Sequence, residues 1–159
     1  MKVTVGVADL KTSNRPDDTL ITYSLGSCIG LVIYDPVAAV GGLLHFMLPE
    51  SSLSAEKAAA NPYMFADTGI PLLFKDCYRL GAVKERMIVK AVGGAQVLDP
   101  NGMFNIGKRN VLAMRKLLWQ NGVTMGATAL GGTVNRTISI DIGTGVVMLK
   151  TSGEGVVTL

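Results

Sequence analysis

The only histidine in this 159-residue chain, His45, and one of its two cysteines, Cys28, are the side chains best suited to nucleophilic chemistry. A thiolate attacks electrophilic carbon, and a neighbouring imidazole lowers the thiol pKa or takes its proton during attack. The two groups must lie within reach of each other, and a pairing argument brings them there. Asp35-Pro36-Val37-Ala38 has the chemistry of a type I turn, with Asp at the first position and Pro at the second. The apolar, β-branched runs at residues 29–34 and 40–47 read as the arms of an antiparallel hairpin. With Asp35 facing Ala38, counting outward puts Cys28 opposite His45, where Cβ atoms on a shared face lie roughly 4.5–5.5 Å apart. A loop two residues longer makes them diagonal neighbours on the same face, whereas a change of one residue puts them on opposite faces.

A cysteine–histidine pair needs a third group to hold the imidazole. Thr22, on a strand predicted over residues 20–24, can accept from the ring through its hydroxyl or backbone oxygen. Gly26-Ser27-Cys28 adds a flexible turn whose backbone N–H groups could face an oxyanion. Arg136, after Gly131-Gly132-Thr133-Val134-Asn135, is a candidate either for contacting substrate or for bracing a loop. The competing explanation is that Cys28 and His45 are packing residues of an apolar hairpin, since buried free cysteines are common. One His and two Cys do not make a metal ligand set at a recognised spacing, so neither metal nor cofactor is expected.

The rest of the chain supplies the frame. Val3, Val5 and Val7 alternate with small or polar residues and predict a first strand, followed by a polar loop over residues 11–18. Ser54 is the expected cap of a short helix broken at Asn61-Pro62, in a segment that reads either as a surface loop or as a substrate-contacting flap. Asp67 or Thr68 caps a second helix, with Pro71 in its first turn and Gly81 as its stop. Its residues Ile70, Leu73, Phe74 and Cys77 form one buried stripe, which makes Cys77 a core thiol. A strand over residues 87–92 leads into Gly93-Gly94, with Val97-Leu98 as an extension and Asp99-Pro100-Asn101-Gly102 as a turn. Asn105 caps a further helix reaching about Gln120, buried through Val111, Met114, Leu117 and Leu118. Residues 123–130, 137–142 and 146–150 read as strands, the last two joined by Gly143-Thr144-Gly145. Few helices among many hairpin-linked strands predict an α+β domain around a largely antiparallel sheet or sandwich.

Two stretches imitate phosphate loops without completing them. The segment from Gly102 to Gly107-Lys108 carries Arg109 where a magnesium-binding hydroxyl belongs, and Asp141-Ile142-Gly143-Thr144-Gly145 fits a hairpin turn. With 48% hydrophobic and 17% charged residues, a single globular domain spanning residues 1–159 is expected. A net charge of +3 with scattered Lys and Arg, and only 6% aromatics, argue against nucleic acid as a partner and weakly favour an acidic protein surface. No apolar run reaches membrane-spanning length and the first residues lack a signal-peptide core, so the cytoplasm is the expected compartment, with both thiols free.

With these residues in hand, the chain resembles the CheD-type chemoreceptor glutamine deamidases from about Thr19 to Lys150. The resemblance is carried by Leu25-Gly-Ser-Cys28, Tyr34-Asp-Pro36 and Gly41-Gly-Leu-Leu-His45-Phe-Met-Leu-Pro49. Ala66-Asp-Thr68, Val92-Gly-Gly-Ala95, Ile106-Gly-Lys-Arg-Asn110, Gly131-Gly132 with Arg136-Thr137, and Thr144-Gly145 add to it. Departures are Asn135, where Gly is expected, and Gly69, where Ala is usual. The resemblance implies a β-sandwich-like core flanked by helices, as in the catalytic domain of cytotoxic necrotizing factor toxins. It also implies a catalytic triad of Cys28, His45 and Thr22, and hydrolysis of glutamine side chains on the cytoplasmic helices of chemoreceptors. Its further implications are a CheC-type phosphatase as a possible partner, in which case binding rather than catalysis could be the main role, and receptor methylester hydrolysis as an alternative reaction.

Overall fold

A computed structural model describes residues 1–96 and 104–159. In chain order the strands are β1 (Lys2–Thr4), β2 (Asp9–Ser13), β3 (Thr19–Leu25), β4 (Ile29–Asp35), β5 (Val40–Phe46), β6 (Ile88–Gly93), β7 (Thr128–Leu130), β8 (Arg136–Asp141), β9 (Val147–Thr151) and β10 (Val156–Thr158). The α-helices are α1 (Ala55–Ala60), α2 (Ala66–Arg79) and α3 (Ile106–Gln120). They form an α+β fold with two five-stranded sheets, ordered β1-β3-β8-β9-β10 and β2-β5-β4-β6-β7. Both sheets are mixed: β1 runs parallel to β3 and β6 parallel to β7, and the other pairings are antiparallel.

The hairpin β4–β5 is buried along its whole length because it is covered on both faces. Ile29, Leu31, Ile33, Leu44 and Phe46 pack towards Ile70, Leu73, Phe74 and Cys77 of α2 and Met114 and Leu118 of α3. Val32, Tyr34 and Leu43 face the other sheet, against Leu20, Leu25, Ile138 and Ile140. The result is three layers: a sheet, the sheet carrying the hairpin, and the helices. Gly42 allows α2 to approach, since a Cβ there would lie 2.7 Å from Leu73 Cδ1 and 2.9 Å from Cys77 Sγ.

Asp35 anchors the hairpin turn. Its Oδ1 accepts from the N–H groups of Val37 and Ala38 at 2.9 and 3.1 Å, and its Oδ2 from Val83 N at 2.8 Å and Arg86 Nη2 at 2.8 Å. Burial pushes this carboxyl up, but Arg86 and the three N–H groups outweigh burial and hold it well below the usual carboxylate range. The turn chemistry is as expected, but Ala39 adopts φ +53° and the strands close at Asp35 opposite Val40. The loop is therefore two residues longer than the shortest possibility.

Several elements differ from the sequence expectation. Part of the expected 11–18 loop belongs to β2, which pairs with β5 and covers its free edge. Helix α2 begins at Ala66, after Phe65, so Pro71 sits in its second turn rather than its first. Of the strand expected over residues 123–130 only β7 forms, and the exposed β10, although its Val156-Val157-Thr158 run is β-branched, was not expected as a strand. The Ser54 cap is present, its hydroxyl accepting from Lys57 N at 3.2 Å. The 143–145 segment is a hairpin turn, with Gly145 N donating to Asp141 O at 2.7 Å. The expected Val97-Leu98 extension and the 99–102 turn lie outside the described residues. No described helix is long and apolar enough to cross a membrane.

Candidate active site

The hairpin register sets the first distance of the site. Gly30 stands opposite His45, so Cys28, two residues back, is a diagonal neighbour of His45 on the face turned towards the other sheet. This is the geometry of the longer loop. Thr22 reaches the same space from β3, in the other sheet, and both Thr22 and His45 are 1% exposed. Just beyond Thr22 the pairing of β3 with β8 shifts register, and Ser24 takes φ +57°. That irregularity turns the chain out of the sheet and into the Gly26–Cys28 loop.

Thr22 Oγ1 lies 2.7 Å from His45 Nδ1 and 2.8 Å from Val5 O. A hydroxyl has one proton, and a carbonyl can only accept, so Thr22 donates to Val5 and accepts from His45. The imidazole therefore carries its proton on Nδ1 and presents a bare lone pair at Nε2. Nε2 is buried and makes no hydrogen bond among the described residues, Cys28 Sγ included. Burial lowers the His45 pKa to about 4, against a smaller opposing pull from Asp9, which faces it from β2. Burial likewise pushes the Cys28 thiol up, with its own N–H pulling the other way. At neutral pH the resting pair is a thiol beside a neutral imidazole.

Cys28 is half-buried and lines a cavity of about 480 Å³ together with Ser24, Gly26, Ser27, Ala95, Gln96 and Phe104. His45 and Thr22 are not among the residues that line this cavity. The loop's carbonyls are all engaged away from it: Gly26 O accepts from Ala95 N at 2.9 Å, Cys28 O from Gly94 N at 3.0 Å, and Ser27 O from Asn110 Nδ2 at 2.9 Å. The N–H groups of Gly26, Ser27 and Cys28 meet no carbonyl, carboxylate or hydroxyl acceptor among the described residues. Gly93 makes the close approach possible. It sits at φ +120°, and a Cβ there would stand 2.1 Å from Cys28 O.

Arg136 is placed differently from the rest. Its guanidinium donates to Gly131 O at 2.8 Å and Gly93 O at 3.3 Å, bracing the two loops, and it does not line the Cys28 cavity. Cys77 is fully buried on the core-facing side of α2, and burial pushes its thiol up to about 12. Among the described residues no group of His, Cys, Asp or Glu is arranged to hold a metal.

Two participants were not singled out from the sequence. The Val5 carbonyl could not have been, because backbone oxygens carry no sequence signal. Asn110 carried a signal: it is a polar residue among Gly107, Met114 and Leu118 on the buried face of α3. It is fully buried, its Oδ1 has no partner among the described residues, and such an orphan costs about 1–3 kcal/mol.

Comparison with known proteins adds an independent line. The family described as CheD chemotactic sensory transduction matches residues 47–151, a span beginning two residues past His45. Alignments to individual relatives cover nearly the whole chain. It is 53% identical over 151 residues to a probable chemoreceptor glutamine deamidase, CheD 1, of Syntrophus aciditrophicus, covering 95% of this chain and 94% of that one. It is 50% identical over 153 residues to the corresponding protein of Solibacter usitatus, covering 96% and 90%. It is 46% identical over 157 residues to CheD 2 of Anaeromyxobacter dehalogenans, covering 99% and 98%.

Proposed function

Since the chain belongs to the CheD family, we propose that it is a chemoreceptor glutamine deamidase, converting selected glutamine side chains of chemoreceptor helices in the cytoplasm to glutamate and ammonia. The observation that carries the mechanism is the Thr22 hydroxyl held between Val5 O and His45 Nδ1, which leaves Nε2 as a base on the sheet face that Cys28 shares.

Cys28 Sγ attacks the amide carbon as its proton passes to His45 Nε2. The carbon–oxygen π bond opens to an oxyanion, which the N–H groups of the Gly26–Cys28 loop receive. The tetrahedral intermediate collapses with cleavage of the carbon–nitrogen bond, and the His45 proton leaves with the nitrogen as ammonia. Water then attacks the thioester, giving a proton to His45, and as the carbon–sulfur bond breaks to form glutamate the departing sulfur takes that proton back from His45. Thr22 keeps the imidazole in one tautomer and orientation throughout. Arg136 contributes at a distance, by fixing the Gly93 and Gly131 loops on which the Cys28 loop rests. In this reading the sandwich is of the cytotoxic necrotizing factor type, and no metal or other cofactor takes part.

Each deamidation adds a negative charge to a receptor helix and changes the repulsion between neighbouring helices. The test is peptide mass spectrometry of the organism's receptor cytoplasmic fragments after incubation with the protein or with Cys28→Ala. Conversion of particular glutamines by the wild type alone is expected. Intact receptors in the presence of folded protein with reduced Cys28 would defeat the reading in favour of binding to a CheC-type phosphatase.

A further inference from the structure

Of the three carbonyls in the Cys28 loop, only that of Ser27 is held by a side chain. Gly26 O and Cys28 O are taken by backbone N–H groups, whereas Ser27 O accepts from Asn110 Nδ2 at 2.9 Å. The same nitrogen donates to Met47 O, also at 2.9 Å, two residues past His45. Both partners are carbonyls, so only the NH2 end of the amide can face them. In a trans peptide the carbonyl of one residue and the N–H of the next point in opposite directions, and no cis bond occurs among the described residues. Fixing the Ser27 carbonyl on Asn110 therefore fixes the direction of the Cys28 N–H.

We propose that Asn110 is a positioning residue for the deamidation. By joining the carbonyls of Ser27 and Met47 it aims the Cys28 N–H at the developing oxyanion and keeps the Cys28 loop in register with the strand that carries His45. The inference rests on Cys28 being the nucleophile. An apolar residue at this buried position would remove the unpaired Oδ1, but would leave the carbonyls of Ser27 and Met47 without this donor and the Ser27–Cys28 peptide without its side-chain tie. The orphaned Oδ1 marks a site where donor geometry, rather than burial, sets the residue type.

The test compares wild type, Asn110→Asp and Asn110→Ala in two reactions of the same sulfur. One is deamidation of a receptor fragment, and the other is alkylation of Cys28 by iodoacetamide, a direct displacement that forms no oxyanion. The expected result is a kcat lower by roughly 10- to 100-fold with KM within about twofold. Alkylation of Cys28 at pH high enough to form the thiolate fully is expected to stay within about threefold of wild type, since attack on iodoacetamide then needs no oxyanion donor. If the buried carboxylate of Asn110→Asp prevents folding, as judged by circular dichroism, Asn110→Ala carries the test, because alanine suits a helix interior. A folded variant with wild-type kcat overturns the proposal. So does a parallel loss of deamidation and alkylation, which would make Asn110 a purely structural tie. A wild type that alkylates normally but deamidates nothing overturns the functional reading, and this proposal with it.

Discussion

Replacing Thr22 by Val tests the centre of the mechanism with little change of volume. The substitution removes the acceptor of His45 Nδ1–H and the donor to Val5 O, the 2.7 Å and 2.8 Å contacts that fix the tautomer. His45 is 1% exposed, so no solvent replaces the lost partner. Leaving a buried donor unsatisfied costs about 1–3 kcal/mol. At about 1.4 kcal/mol per tenfold, the population of the productive ring falls by roughly 5- to 150-fold. The expected outcome is a drop of that size in kcat for receptor-fragment deamidation, with KM nearly unchanged because Thr22 does not line the cavity. Thr22→Ser keeps the hydroxyl and is expected to restore most of the activity. Nitrogen-15 spectra of the single histidine should show the proton on Nδ1 in the wild type and a mixture in Thr22→Val. Wild-type kcat in Thr22→Val, or a ring protonated on Nε2 in the native protein, would refute the reasoning.

Other outcomes follow from the same geometry. Cys28→Ala is expected to abolish turnover with an unchanged circular dichroism spectrum, while Cys77→Ala keeps turnover and only lowers the melting temperature, because Cys77 is buried on the core-facing side of α2; equal loss of activity in both would refute the assignment. Gly93→Ala places a methyl 2.1 Å from the Cys28 carbonyl at φ +120°, so a loss of several kcal/mol in urea unfolding is expected, above the roughly 0.5 kcal/mol of an ordinary surface substitution; near-native stability would show that the loops separate freely. Folding lowers the His45 pKa from 6.5 to about 4, so the unfolded chain binds more protons between these values. Stability from this group is complete above pH 6.5 and is lost as pH falls towards 4, by up to roughly 3 kcal/mol. Urea melts at pH 7 and pH 4.5 for wild type and His45→Gln check it, and the same acid sensitivity in both would disprove the contribution.

The hairpin and its turn were legible because Asp35-Pro36 and two β-branched runs leave few alternatives, and the face shared by Cys28 and His45 followed from them. The loop length was not legible, because the left-handed residue is Ala39, which lacks the signature that Gly or Asn would give. Strand β2 was hidden for a different reason: Asp9, Lys11 and Thr12 are ordinary edge-strand surface, and only pairing with β5 makes them a strand. Pro71 was placed one turn early because α2 starts on Ala66 behind Phe65, without a polar cap. For Thr22 the parity along β3 was readable, whereas its second bond to Val5 depends on β1 lying alongside β3, which no local pattern declares. Arg136 shows the limit of motif reading, since the same side chain that could address a substrate turns its Nη1 to the carbonyls of Gly93 and Gly131.

The location of Thr22 and His45 ties the proposed reactivity to packing. Thr22 comes from one sheet and His45 from the other, so their 2.7 Å contact exists only when the sheets are closed on their shared core. The burial that closes them also disfavours both charges of a thiolate–imidazolium pair, raising the Cys28 pKa and lowering that of His45. Proton transfer in the free protein would create two charges where the surroundings resist them. In the proposed mechanism, an amide carbon against the sulfur lets the negative charge pass on to the carbonyl oxygen, which the N–H groups of the Gly26–Cys28 loop would receive. Transfer to His45 then becomes favourable only together with attack. A thiol that is inert until substrate arrives is suited to acting on one side chain among many, and less exposed to oxidation than a standing thiolate. On this argument the alkylation rate of Cys28 in the free protein should keep rising with pH past the ordinary thiol range, about 8.5, with no plateau at lower pH; a plateau below pH 7 would show that the ion pair already exists and that the mechanism starts from it.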